Sequence, residues 1–294
     1  MEAIVSLVGR NSKVFRRDKT SVFFSLLSVI IVIVLYALFL QKMQVDSIKQ
    51  VTEATPQMIT MVNEWLIAGL LSMIAVTTTL ASFGLAIKDI ETKASADFLT
   101  APVSRAAIQM GYVLNAFIIG SVFSFIALIG CEIYIVATGG AWLSFTSLLK
   151  VVGILLLSVL LASLFNVVIV MMVHTLNAFS TLSTIVGTLL GFLCGVYVPI
   201  GALPSFAQNI IMYFPISHTT LLLRNAFMES SLADVFAGAP AEAEEQYKLM
   251  YGVTYKLHDN VLSLSTSYII IAVTIAVLAV LSITLFHRRE KRLG

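Results

Sequence analysis

The chain has 294 residues, of which 59% are apolar and 12% charged, with a formal net charge of +2. Soluble domains carry about 25% charged residues, so this composition excludes an ordinary soluble enzyme and points to a protein that lives in lipid. The small basic excess is explained by membrane topology and headgroup contact, with no part for nucleic acid.

Residues 1–20 place Ile4, Leu7, Val8, Val14 and Phe15 near one helical stripe, with Arg10, Lys13 and Arg17 elsewhere on the wheel. This pattern predicts an amphipathic helix lying in the headgroup layer; a frayed basic tail is the alternative. Crossing a ~30 Å hydrocarbon core takes about 20 apolar residues. Six runs qualify: 21–40, 65–87, 111–137, 147–172, 179–198 and 266–286. No small-x-small cleavage site follows the first run, which is read as a retained span.

With six spans, both termini, the second link (88–106) and the fourth link (173–178) share one side. That side holds Arg10, Lys13, Arg16, Arg17, Lys19, Lys88, Lys93, Arg105, Arg288, Arg289, Lys291 and Arg292. Lys and Arg collect on the cytoplasmic face, so both termini are expected in the cytoplasm. The link 88–106 contains "DFLTAPVSR". The residue before Pro102 is biased away from helix, so a short helix should stop near Thr100 or Ala101 and the next one should carry Pro102 in its first turn.

The third span holds Glu132, the only acidic residue inside any of these runs. A carboxylate there needs a partner, water or a proton, and both a structural contact near the outer end and a substrate or proton role remain open. Asn115 and Asn166 stand in the third and fourth spans, where amides commonly join helices. Gly187, Gly191 and Gly195 recur every four residues in the fifth span, predicting a close helix contact within the chain or between copies, or a hinge.

Residues 199–265 follow as a large outer connection. Pro199, Pro204 and Pro215 punctuate it, and Ser205 and Ser217 stand as N-cap candidates for two segments too short to cross. These are read as a re-entrant helical hairpin at the outer face, with Arg224 in its second arm. The acidic stretch beyond it predicts a solvent-exposed cap with one short helix over 241–250.

Chemistry-bearing motifs are missing. There is no phosphate loop, no nucleophile elbow, and no zinc spacing among His174, His218, His258 and His287. Cys131 and Cys194 both fall within spans and form neither a disulfide framework nor a metal site.

Two stretches, "DFLTAPVSR" and "CGVYVPIGALPSFAQNIIMYFPISHTTLLLRNAF", resemble the type-2 ATP-binding-cassette exporter permeases, a six-span family. The second carries Gly195, Tyr197, Pro199, Leu203, Pro204, Pro215 and Arg224 at the positions of that family's late pattern. In the first, Glu91, Phe98, Leu99, Pro102, Val103 and Arg105 match a coupling helix between spans 2 and 3 that docks on a separate ATPase. Lys93 and Ala94 stand where the pattern has a Gly-Thr pair. The resemblance implies an all-α membrane protein with a coupling helix at 88–106 and an outer gate hairpin. It also implies a plasma-membrane permease that pairs with a second copy or paralogue and with two ATPase subunits holding ATP and Mg. Its cargo would be a small hydrophobic or amphiphilic molecule such as a drug, antimicrobial peptide or lipid. An exporter of lipid-linked polysaccharide and an ion-coupled secondary transporter using Glu132 are the other readings, and neither requires a cofactor in this chain.

Overall fold

The computed structural model describes residues 2–35, 39, 41–49, 55–95, 98, 102–257 and 260–290. In chain order its main helices are α1 (Glu2–Arg17), α2 (Lys19–Leu35), α3 (Gln41–Lys49), α4 (Pro56–Glu91) and α5 (Arg105–Ala137). These are followed by α6 (Phe145–Val170), α7 (Leu176–Leu193), α8 (Ser205–Tyr213), α9 (Pro215–Val235), α10 (Ala241–Met250) and α11 (Leu264–Glu290). A two-residue antiparallel hairpin pairs β1 (Lys256–Leu257) with β2 (Asn260–Val261) just before α11. Among the described residues five helices, α4, α5, α6, α7 and α11, are long and apolar enough to cross a membrane. Helix α2 has 17 residues, and the end of the run 21–40 lies outside the described residues.

Local chemistry starts each span. Thr55 caps α4 by accepting from the Met58 amide at 3.3 Å, and Pro56 occupies the first turn, where its missing N–H costs nothing. Ser104, Ser144 and Thr175 cap α5, α6 and α7 in the same way. The Ser104 cap corrects one expectation: α5 begins at Arg105, so Pro102 lies before the cap rather than in the first turn. A hydroxyl that satisfies an orphan amide sets the boundary more strongly than the proline's fixed φ.

Helix α4 is the centre of the bundle. Its 36 residues would extend about 54 Å at 1.5 Å per residue, well beyond the run 65–87. Its apolar window is 83% buried, against 11% for α7 and for α11. An all-round apolar helix belongs inside, and α5, α6, α7 and α9 pack around it. Because α4 reaches from Pro56 to Glu91, Glu64 and Asp89 also belong to this helix, and Glu132 is not the only acidic side chain in the span helices.

The long connection after α7 departs from expectation in two respects. Ser205 and Ser217 are not N-caps: Pro204 and Phe214 hold those positions, and Pro215 starts α9. The Ser217 hydroxyl instead donates to the Ile211 and Phe214 carbonyls at 2.6 and 2.7 Å. The cap is also not wholly exposed. No residue of α10 is buried, yet Val253 and Tyr255 just after it are 0% and 3% exposed.

Arg224 draws that loop inward. Its side chain is fully buried, and Nη2 donates to the Cys194 and Gly195 carbonyls, each at 2.9 Å. The guanidinium lies over the Trp65 ring, 4.8 Å from the centroid, and Trp65 Nε1 donates to the Tyr251 carbonyl at 2.6 Å. One side chain on α9 thereby joins the end of α7, the core of α4 and the loop after α10. Replacing Arg224 by Met leaves two buried carbonyls without their donor and should cost about 2–4 kcal/mol. Arg224→Lys, which lacks the planar fork, should fall between Met and the native residue. Thermal unfolding of the purified protein in detergent measures the order, and equal midpoints for all three would contradict it.

Candidate functional site

The end of the bundle that carries α1 is organised by Asp89 in the last turn of α4. Its two carboxylate oxygens accept from Arg10 of α1 at 2.5 and 2.9 Å, and the Tyr112 hydroxyl of α5 donates to it at 2.6 Å. Asp89 is 4% exposed, a depth that a carboxylate tolerates only with charge-assisted partners. The Asp89 hydrogen bond holds the Arg10 guanidinium above its ordinary pKa, against the opposing effect of burial. Arg10 therefore faces protein rather than lipid headgroups, a correction to the simple basic stripe drawn for residues 1–20. The apolar stripe docks as well, with Phe15 meeting Phe123 of α5 edge to face at 6.2 Å.

The link after α4 is tied to the same cluster. Arg10 lies over the Phe98 ring, 5.1 Å from its centroid. The Glu91 carboxylate accepts from the Leu176 amide at 3.2 Å, joining the link to the first turn of α7, where an anion is favoured by the helix dipole. Pro102 and Arg105 are exposed at the entry to α5. Leu99, together with the expected helix end at Thr100 or Ala101, lies outside the described residues.

Lys93 stands where the resemblance places a glycine, and its φ is 61°. It follows the C-cap Thr92, and its amide donates to the Ile90 carbonyl at 3.1 Å. A left-handed residue just after a helix end is the usual place for glycine, so the geometry of that position is retained without the residue that adopts it most easily.

Polar side chains also join the helices inside the bundle. Asn115 accepts from the Ser12 hydroxyl at 2.8 Å and donates to Ser82 at 3.1 Å, linking α1, α5 and α4. Asn166 of α6 donates to the Val76 carbonyl and to Thr79 at 2.9 and 2.8 Å. Glu132 is 5% exposed, and its Oε2 accepts from the Leu143 amide at 3.2 Å, so it anchors the short turn between α5 and α6. Glu64 accepts from the Ser231 hydroxyl of α9. Glu64 and Asp89 were missed by the sequence reading because each sits at the edge of an apolar run, where a charge ordinarily marks the water interface. Helical continuity from Pro56 to Glu91 was the available signal.

In the glycine series, Gly191 and Gly195 shape the end of α7. The Val196 amide donates to the Gly191 carbonyl and the Gly195 amide to Phe192, each at 2.9 Å, with Gly195 at φ +59°. This is the hydrogen-bond pattern of a Schellman stop. The Tyr197 ring then folds back onto Gly191, where an added Cβ would stand 2.0 Å from it. Gly187 has nothing within 4 Å, which leaves it open to a contact from outside this chain. Pro199 precedes a 3-10 turn at Ile200–Ala202, while Pro204 and Pro215 begin the arms α8 and α9 that Arg224 clamps.

At the opposite end from α1, a cavity of about 480 Å³ lies between the start of α4, the Gly139–Ser147 turn and α9. Glu64 and Asp234 line it, and the Lys150–Glu229 ion pair of 2.6 Å stands at its side.

A long, largely apolar central helix, an amphipathic helix tied to one of its ends, and an arm after α7 clamped at the other make up a multi-pass helical membrane protein. The chain belongs to the ABC-2 type transporter family, whose model matches residues 2–228. It is thus a permease subunit of an ABC transporter, and members of this family usually work with an ABC ATPase and as dimers. No curated protein matches the chain.

The φ at position 93 generates a prediction. Lys93→Gly should leave stability unchanged or raise it by up to about 1 kcal/mol, while Lys93→Val should lower it by about 1–3 kcal/mol. Chemical or thermal unfolding of the two purified variants tests the order, and a more stable Val variant would show that position 93 is not left-handed.

Proposed function

We propose that the chain is the membrane subunit of an ATP-driven exporter that moves a hydrophobic or amphiphilic cargo out across the plasma membrane. Two copies, or this chain and a paralogue, enclose the pathway, and two separate ATPase subunits bind ATP and Mg. The run 21–40 is the first of six spans, and both termini lie in the cytoplasm.

The observation that carries this reading is the α1-side assembly, in which Glu91, Phe98, Asp89 and Arg10 tie the link after α4 to α1, α4 and α7. A partner pressing on that link acts on three helices together. With no phosphate loop of its own, the chain must take free energy from outside, by differential binding of the driven states. Helix α7 supports a lining role. Thr181, Thr184 and Thr188 are exposed along it, each hydroxyl donating to a carbonyl of the same helix at 2.9–3.1 Å. Such a stripe remains compatible with apolar surroundings and offers mild polarity to an amphiphile.

Two experiments bear on the reading. The full complex is purified with its ATPase, and Phe98→Asp or Arg105→Glu is introduced at the link. The ATPase should stay bound or weaken while cargo-stimulated hydrolysis falls roughly ten-fold, equivalent to about 1.4 kcal/mol of coupling. An unaltered complex with unaltered hydrolysis would remove 88–106 from the coupling role. In sealed vesicles, Glu132→Gln should leave ATP-driven transport intact and transport should not follow an imposed proton gradient. Loss of gradient-driven transport in that variant would favour the ion-coupled reading instead.

A further inference from the structure

A cleft opens where α6, α9, α10 and α11 meet, on the other side of the Lys150–Glu229 pair from the cavity already described. It encloses about 500 Å³. Lys150, Glu229, Glu244 and Lys248 form its rim, with side chains between 32% and 59% exposed. Its depth is apolar: Ile154 and Leu222 are 5% and 2% exposed, while Leu264 and Tyr268 of α11 open it toward the lipid side.

The rim is chemically balanced. Lys150 pairs with Glu229 at 2.6 Å and Lys248 with Glu244 at 2.5 Å. Pairs as exposed as these contribute about 0–1 kcal/mol, so a ligand that offers the same charges can replace them. An ammonium carries three donors, and one carboxylate does not saturate it. An anionic headgroup would meet two carboxylates, and a cationic amphiphile would meet two ammonium groups. A zwitterion satisfies all four.

Depth in the membrane agrees. Lys150 lies in the second turn of α6, and Leu264 and Tyr268 lie in the opening turns of α11. Tyr268 and the nearby Trp142 are 44% and 62% exposed, the placement of aromatic residues at a membrane–water boundary. The rim is thus at headgroup level and the apolar depth at the level of the upper acyl chains.

We propose that this cleft is a binding site for a zwitterionic glycerophospholipid of the leaflet to which it opens. The phosphate is held by Lys150 and Lys248, the amine by Glu229 and Glu244, and the acyl chains pass between Leu264 and Tyr268 into the bilayer. The volume accommodates the headgroup and glycerol, and the chains remain in lipid. The site is independent of which cargo the permease moves and of the direction of transport.

The test uses the full complex in nanodiscs made of equal parts phosphatidylethanolamine and phosphatidylglycerol, followed by gentle detergent release and native mass spectrometry. The native protein should retain phosphatidylethanolamine in preference. A Lys150→Gln, Lys248→Gln double variant should lose roughly ten-fold of that retention. Because rim charges can affect assembly, Ala233→Trp is the second variant: Ala233 lines the cleft and is exposed, so the indole fills the site without entering the core. It should abolish retention while the thermal midpoint stays unchanged. Equal retention of the two lipids, preference for phosphatidylglycerol, or undiminished retention in Ala233→Trp would overturn the assignment.

Discussion

The architecture depends on a buried arginine that makes its partners out of backbone. Arg224 gives its donors to the Cys194 and Gly195 carbonyls and its face to Trp65. A helix that ends in the protein interior leaves its last carbonyls without intrahelical partners and shielded from water. The end of α7 is such a case: the Schellman bonds satisfy the Gly191 and Phe192 carbonyls, and Arg224 satisfies those of Cys194 and Gly195. Without that side chain, the turn leading from α7 into the path from Pro199 to Val235 would leave the Cys194 and Gly195 carbonyls orphaned in the protein's interior. The fold can turn back into the bundle because one guanidinium meets the polar demand at the turning point.

Trp65 makes the clamp a junction rather than a local cap. The indole stacks its face on Arg224 and donates its N–H to the Tyr251 carbonyl, while the Tyr251 ring meets it edge to face at 5.2 Å. Removing the cation would therefore also loosen the loop that carries α10, although Arg224 itself lies on α9. Gly252 is part of the same packing, since an added Cβ would stand 2.5 Å from Ile200 and its φ is +65°.

Apolar runs were legible in the sequence because their length is dictated by the bilayer, and the prolines after α7 marked where the two arms begin, although the second, at 21 residues, is much longer than the segment read from the sequence. The fold lost detail where a short-range signal competed with a stronger neighbour. Pro102 seemed a natural first-turn residue, but the Ser104 hydroxyl had an amide to satisfy and took the boundary. Arg10 read as one member of a basic face, and nothing in a single sequence could pair it with Asp89, 79 residues away. At the site, Glu91 and Phe98 were readable only through a family resemblance, because their partners, Leu176 and Arg10, belong to distant helices. The glycine series was visible as a period of four and read as a packing face or a hinge, whereas two of its members end the helix. The positive φ at Gly195 and the Tyr197 ring over Gly191 are tertiary facts that periodicity does not contain.

Helix α4 turns these separate anchors into one mechanical element. Near its start, Glu64 and Trp65 are bound to α9 and to the loop after α10. In its last turn, Asp89 is bound to α1 and α5, and Glu91 to the start of α7. Between them the helix is continuous and closely packed, and packed interiors transmit displacement rather than absorb it. A tilt of α4 driven at the Asp89 end must then be met at the other end by movement of α9 or by rupture of the Glu64 and Trp65 contacts. Rupture would leave a buried carboxylate and an indole N–H without partners. The contacts of Glu64 and Trp65 thus bind α9 and the loop after α10 to the same helix whose last turn carries Asp89 and Glu91, so the two ends of the bundle share one rigid element.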